Sequence, residues 1–80
     1  MGKNVTRYKR DDETIKLVGQ NIRKYRDLKG LSINQLADMS GLSKNQISEY
    51  ELGKVNQNVT SLKILSDTLG ISIAQLFDEI

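Results

Sequence analysis

Within six positions the chain carries a cation, two carboxamides, a hydroxyl and a carboxylate: Lys44, Asn45, Gln46, Ser48 and Glu49. On a helix, Ile47 and Tyr50 turn one way, and Lys44, Asn45, Ser48 and Glu49 turn the other. These are groups that can read base edges in a DNA major groove. A lysine donates to guanine O6 or N7, or rests on a phosphate. An asparagine pairs with adenine N6 and N7, and a glutamate accepts from cytosine N4 while repelling phosphate. Each can equally be an ordinary solvated helix position. Gln46 is ambiguous, because it also occupies the third position of a helix-start signal, where its side chain would bond back to the backbone.

Other chemistries have little to work with. The sequence contains no cysteine and no histidine. That excludes disulfides, Cys/His zinc sites, Ser-His catalysis and imidazole acid–base chemistry. There is no phosphate loop and no convergent carboxylate pair. Asp11, Asp12 and Glu13 are neighbours that suit a positive helix N-terminus and do not converge on a metal. No enzyme activity, metal or cofactor is expected.

The polar face needs a scaffold, and the local signals supply one. Ser32-Ile33-Asn34-Gln35 and Ser43-Lys44-Asn45-Gln46 both fit the S-x-x-Q capping box that opens a helix. Gly41 lies between them, where a left-handed turn costs least. Leu36 and Ala37 on one helix and Ile47 and Tyr50 on the next suit a shared interior, with the alanine leaving room for a close crossing. This is a helix-turn-helix. Before it, Ile15, Val18, Ile22, Tyr25 and Leu28 recur at helical spacing, and Gly30 ends that run. Gly19 inside it costs roughly 1 kcal/mol against alanine, which a close approach by another helix would explain. After it, Gly53 closes the third helix and a polar connection follows. Asn58 is the favoured cap for a fourth helix, with Thr60 as rival and Val59, Leu62, Leu65 and Leu69 as its buried stripe. Gly70 ends that helix. Ser72-Ile73-Ala74-Gln75 opens a last short helix burying Ile73, Leu76 and Phe77. No stretch alternates like a strand, so the expected fold is an all-α, compact five-helix globule over residues 11–80.

The combination from Leu28 through Leu36-Ala37, Gly41-Leu42-Ser43, Ile47-Ser48 and Glu51-Leu52-Gly53-Lys54 to Leu69-Gly70-Ile71-Ser72 resembles the lambda repressor/Cro (XRE) helix-turn-helix family across roughly residues 17–77. The resemblance implies a lambda-repressor-like fold with helix 3 (about 44–52) in the major groove. It implies base contacts by Lys44, Asn45, Gln46, Ser48 and Glu49. Phosphate contacts would come from Ser32, Asn34, Ser43, Lys54 and Asn56. It also implies a structural ion pair between Arg26 and Glu51. Two positions depart from the pattern. Ile33 replaces a phosphate-binding glutamine, so Asn34 or backbone amides must substitute. Gln57 replaces a frequent proline, which bears on loop rigidity only.

Proteins of this kind usually act as two-fold dimers on a near-palindromic operator, often as repressors. Ile71, Phe77 and Ile80 are the candidate interface anchors, though Ile71 could equally be core. The partner expected is double-stranded DNA. The rival reading is an antitoxin or controller-type protein with a protein-interaction role. Charge mildly favours it: residues 1–10 carry Lys3, Arg7, Lys9 and Arg10 and no acid, while the other 70 residues carry eight basic and ten acidic groups. Residues 1–10 read as a flexible basic arm, either a solvated terminus or a source of salt-dependent phosphate contacts. No apolar run is long enough to span a membrane and no signal peptide is visible, so the cytoplasm is the expected compartment.

Overall fold

The computed structural model describes residues 11–79. The arm at residues 1–10 and the proposed anchor Ile80 lie outside the described residues. Four α-helices follow in order: α1 (Asp12–Leu28), α2 (Ile33–Ser40), α3 (Lys44–Leu52) and α4 (Val59–Leu69). The fifth element, Ile73–Phe77, is a single 3-10 helix instead of an α-helix. There is no strand among the described residues.

Side chains cap every element at its start. Asp11 accepts from the amide of Thr14, Ser32 from Gln35, Ser43 from Gln46, Asn58 from Ser61 and Ser72 from Gln75. These bonds satisfy amides that a helix N-terminus otherwise leaves unpaired. Asp11 also takes the Thr14 hydroxyl at 2.7 Å, and these two bonds hold its carboxyl below the usual range. Asn58, not Thr60, is the cap of α4.

One core joins the elements. Val18 and Ile22 of α1, Leu36 and Ala37 of α2, Ile47 and Tyr50 of α3, Leu62, Leu65 and Leu69 of α4, and Leu76 of the 3-10 helix are all buried in it. Three positions expected to be buried are exposed instead. Phe77, at the end of the 3-10 helix, is 46% exposed. Leu28 is 71% exposed. Two successive steps of three residues carry it about 120° round the helix from Ile22. Val59 is 74% exposed, because it lies about 90° from the centre of the stripe formed by Leu62, Leu65 and Leu69.

The long helix α1 is the keel, packing most extensively on α3 and next on the 3-10 helix. Gly19 makes the first contact possible. A Cβ there would come within 2.3 Å of the Tyr50 carbonyl oxygen and 2.7 Å of that of Glu51. Carboxamides complete the joints. Asn21 Nδ2 donates to the carbonyls of Leu76 and Asp78, both at 2.8 Å. Gln57 Nε2 donates to the carbonyls of Ile15 at 2.9 Å and Tyr50 at 3.2 Å, joining the inter-helix loop to both α1 and α3. The exchange of proline for Gln57 therefore adds tertiary bonds, beyond the effect on loop rigidity expected from sequence.

Candidate nucleic-acid interface

Helix α3 is held from behind. Ile47 and Tyr50 bury the inner face of α3, and Gly41, at φ 79°, turns the chain sharply between α2 and α3. Only two residues, Leu42 and Ser43, separate that glycine from the helix start, so the crossing of the two helices has little freedom. Ala37 is buried at the crossing, as its small size predicts.

On the outer face, Lys44 and Asn45 are exposed in the first turn of α3, and Ser48 and Glu49 are half-buried one turn further along. Ser32 and Asn34 are exposed at the start of α2, Ser43 at the start of α3, and Lys54 and Asn56 in the loop beyond it. An open concavity of about 650 Å³ runs between α2 and α3, lined by Asn34, Asp38, Ser43 and Lys44 among others. Polar groups from both helices and two helix N-termini thus border one groove. Ile33 instead packs partly buried against the core, so its side chain offers nothing to an anion.

Gln46 behaves differently from its counterparts. In α2 and the 3-10 helix the glutamine at the third position returns to its own cap, with Gln35 Oε1 accepting from the Ser32 amide at 2.8 Å and Gln75 Oε1 from the Ser72 amide at 2.9 Å. In α3 only the serine half of the box forms. The Gln46 side chain turns inward, and its Nε2 donates to Tyr50 Oη at 3.1 Å and Ser61 Oγ at 2.9 Å. The return bond, which Gln46 Oε1 would accept, is absent, and Nε2 instead donates along α3 to Tyr50 and across to Ser61 of α4. The same phenol oxygen accepts from the backbone amide and the side-chain amide of Asn58, both at 3.1 Å. Burial pushes the Tyr50 phenol up, but hydrogen bonds from Asn58, Ser61 and Gln46 outweigh it and leave the group below the usual tyrosine range. Nothing in the spacing of residues 43–61 announces this network, since its members come from two helices and a loop.

Arg26 and Glu51 meet beneath α3. Arg26 Nε donates to Glu51 Oε2 at 2.6 Å, Nη2 to Oε1 at 2.8 Å, and Nη1 to the Leu31 carbonyl at 2.9 Å. The side chains are 11% and 5% exposed, so this is a buried two-pronged pair. The bond to Glu51 raises the arginine above its ordinary value and outweighs burial, which acts the other way. The pair ties α1 to the C-terminal half of α3, opposite the end that carries Lys44 and Asn45.

An all-helical domain that presents the polar first turn of its third helix beside the start of its second is a helix-turn-helix of XRE type. The sequence matches the family model HTH_3, described as helix-turn-helix, over residues 22–76, and the chain belongs to that family. Among solved structures it is similar to the restriction-modification controller protein C.AhdI from Aeromonas hydrophila, at 33% identity over 79% of this chain and 96% of that one, with a TM-score of 0.76. The DNA-binding domain of SinR from Bacillus subtilis matches at 34% identity over 79% and 93% of the two chains, with a TM-score of 0.74. A structure of SinR, the master regulator for biofilm formation, in complex with DNA matches at 34% identity over 76% and 98%, with a TM-score of 0.71. No curated protein matches the sequence. No helix among the described residues is long and apolar enough to cross a membrane.

Proposed function

We propose that this protein is a sequence-specific, double-stranded-DNA-binding transcriptional regulator that acts as a repressor in the cytoplasm. The observation that carries the reading is the exposed pair Lys44 and Asn45 on the first turn of a helix whose other face is locked into the core. In this reading α3 enters the major groove with that turn toward the bases. Lys44 and Asn45 are the main readers, and Ser48 and Glu49 reach further along the site. Ser32, Asn34, Ser43, Lys54 and Asn56 hold phosphates, with the α2 amides replacing the side chain that Ile33 cannot supply. The SinR–DNA complex supports the DNA partner, and the likeness to C.AhdI, a restriction-modification controller protein, supports a small regulator. A module this small gains site length by doubling, so the active form is a homodimer on a near-palindrome. Phe77, 46% exposed, is its apolar anchor, with Ile71, half-buried against the core, six residues before it.

The test is selection from a pool of random duplexes at moderate salt, with wild type against Lys44→Ala/Asn45→Ala. Enrichment of a two-fold symmetric site that the double variant loses is the expected result. Equal, weak binding by both proteins would overturn it. The net negative charge of residues 11–80 would then favour a protein partner, as in an antitoxin.

A further inference from the structure

Resting on the DNA-reading proposal, we infer that Gln46 is a positioning residue of the recognition helix: through Ser61 of α4, and through the Tyr50 hydroxyl that Asn58 also holds, it fixes the roll of α3, and so sets which base edges Lys44 and Asn45 reach. The S-x-x-Q signal occurs before α2, α3 and the 3-10 helix, and only in α3 does the glutamine leave its local partner. A return bond to the cap closes a very short loop, so giving it up requires compensating partners elsewhere, which the side-chain Nε2 gains. Gln46 finds them in the Tyr50 hydroxyl, one turn along the same helix, and in Ser61, buried in α4. Asn58, which caps α4, closes the network by donating twice to the same hydroxyl.

The consequence is mechanical. Asn45 and Lys44 immediately precede Gln46, so the turn that Gln46 anchors is the turn that carries both readers. A side-chain tip lies roughly 6 Å from the helix axis, so a roll of about 10° moves it by about 1 Å. That exceeds the roughly 0.5 Å window within which a base-edge hydrogen bond keeps its geometry. A glutamine facing inward therefore acts on specificity through the orientation of its neighbours, without contacting a base.

A double-mutant cycle read on DNA separates this role from direct reading. Wild type, Gln46→Met, Tyr50→Phe and the double variant are titrated against the selected duplex and its single-base-pair variants, with thermal melting as a check on folding. Gln46→Met is expected to weaken binding of the selected duplex about 3- to 10-fold, the scale of one lost hydrogen bond. Discrimination should fall together at every base pair read by Lys44 and Asn45. The double variant should bind no more weakly than the worse single one. If Tyr50→Phe fails to fold, Ser61→Ala takes its place in the cycle. Loss of preference at one base pair alone, adding independently to the effect of Tyr50→Phe, would make Gln46 a reader and overturn the inference. Unchanged binding by Gln46→Met overturns it too. A wild type that prefers no duplex removes the DNA-reading proposal itself, and this inference with it.

Discussion

Glu51 and Arg26 show what burial does to a pair of charges. In water such a pair is worth about 0–1 kcal/mol, but here both groups have left water and each depends on the other. Glu51→Ala leaves a buried guanidinium with only the Leu31 carbonyl and the more distant Asp27, 3.6 Å away, as partners. Urea titration should show the variant less stable by about 3–5 kcal/mol; a loss below about 1 kcal/mol would mean that the pair behaves as an exposed one. On the outer face, Asn45 and Lys54 should fail in different ways. Asn45→Ala should erase about 1–3 kcal/mol of preference at one base pair. Lys54→Ala should weaken binding to all duplexes alike and lower the slope of log K against log salt by about 1. Titrations at several salt concentrations distinguish the two.

Among the elements, the crossing of α1 and α3 is the least tolerant joint. Alanine at Gly19 would gain roughly 1 kcal/mol of helix propensity, but its methyl would meet two backbone carbonyls that cannot swing aside. Overpacking of this kind costs about 1–3 kcal/mol, so Gly19→Ala should lower the melting temperature despite the better helix former. A raised melting temperature would show that α1 can slide away from α3. The starts of α2, α3, α4 and the 3-10 helix and the ends of α1 to α4 follow from short-range signals, because a serine or asparagine cap and a following glycine act within a few residues of themselves; the cap of α1 is Asp11, outside that pattern. The failures also have local causes. Spacing alone predicts Leu28, Val59 and Phe77 as buried; Phe77 is exposed too, and angular drift along the helix takes Leu28 and Val59 off the buried stripe. The last element, expected as a short helix, spans only Ile73 to Phe77 and winds as a 3-10 helix held by Asn21.

For the molecule as a whole, assembly and charge determine what the interface can do. Phe77 is exposed, whereas Ile71 and Ile73 are half-buried and already pack on the core. In the dimer reading, Phe77→Asp should give a folded monomer in sedimentation equilibrium and a marked loss of operator affinity; an unchanged dimer would place the interface elsewhere. Charge sets a second expectation. Outside residues 1–10 acids outnumber bases by two, so long-range attraction to DNA is weak and affinity depends on placed contacts.

The all-helical class, the helix-turn-helix, the serine and asparagine caps, most of the core and the polar face of α3 are legible in the sequence. Each follows from residue type and a spacing of at most a few positions, where backbone geometry alone decides which groups meet. The resemblance supplied the pairing of Arg26 with Glu51, which no local spacing could give. Only the tertiary structure decided that this pair is buried, that Gly19 is a contact point, that Gln57 bridges α1 and α3, and that Gln46 faces the interior. Those outcomes depend on which acceptors lie nearby once distant segments have packed, and a short periodic signal carries no record of them.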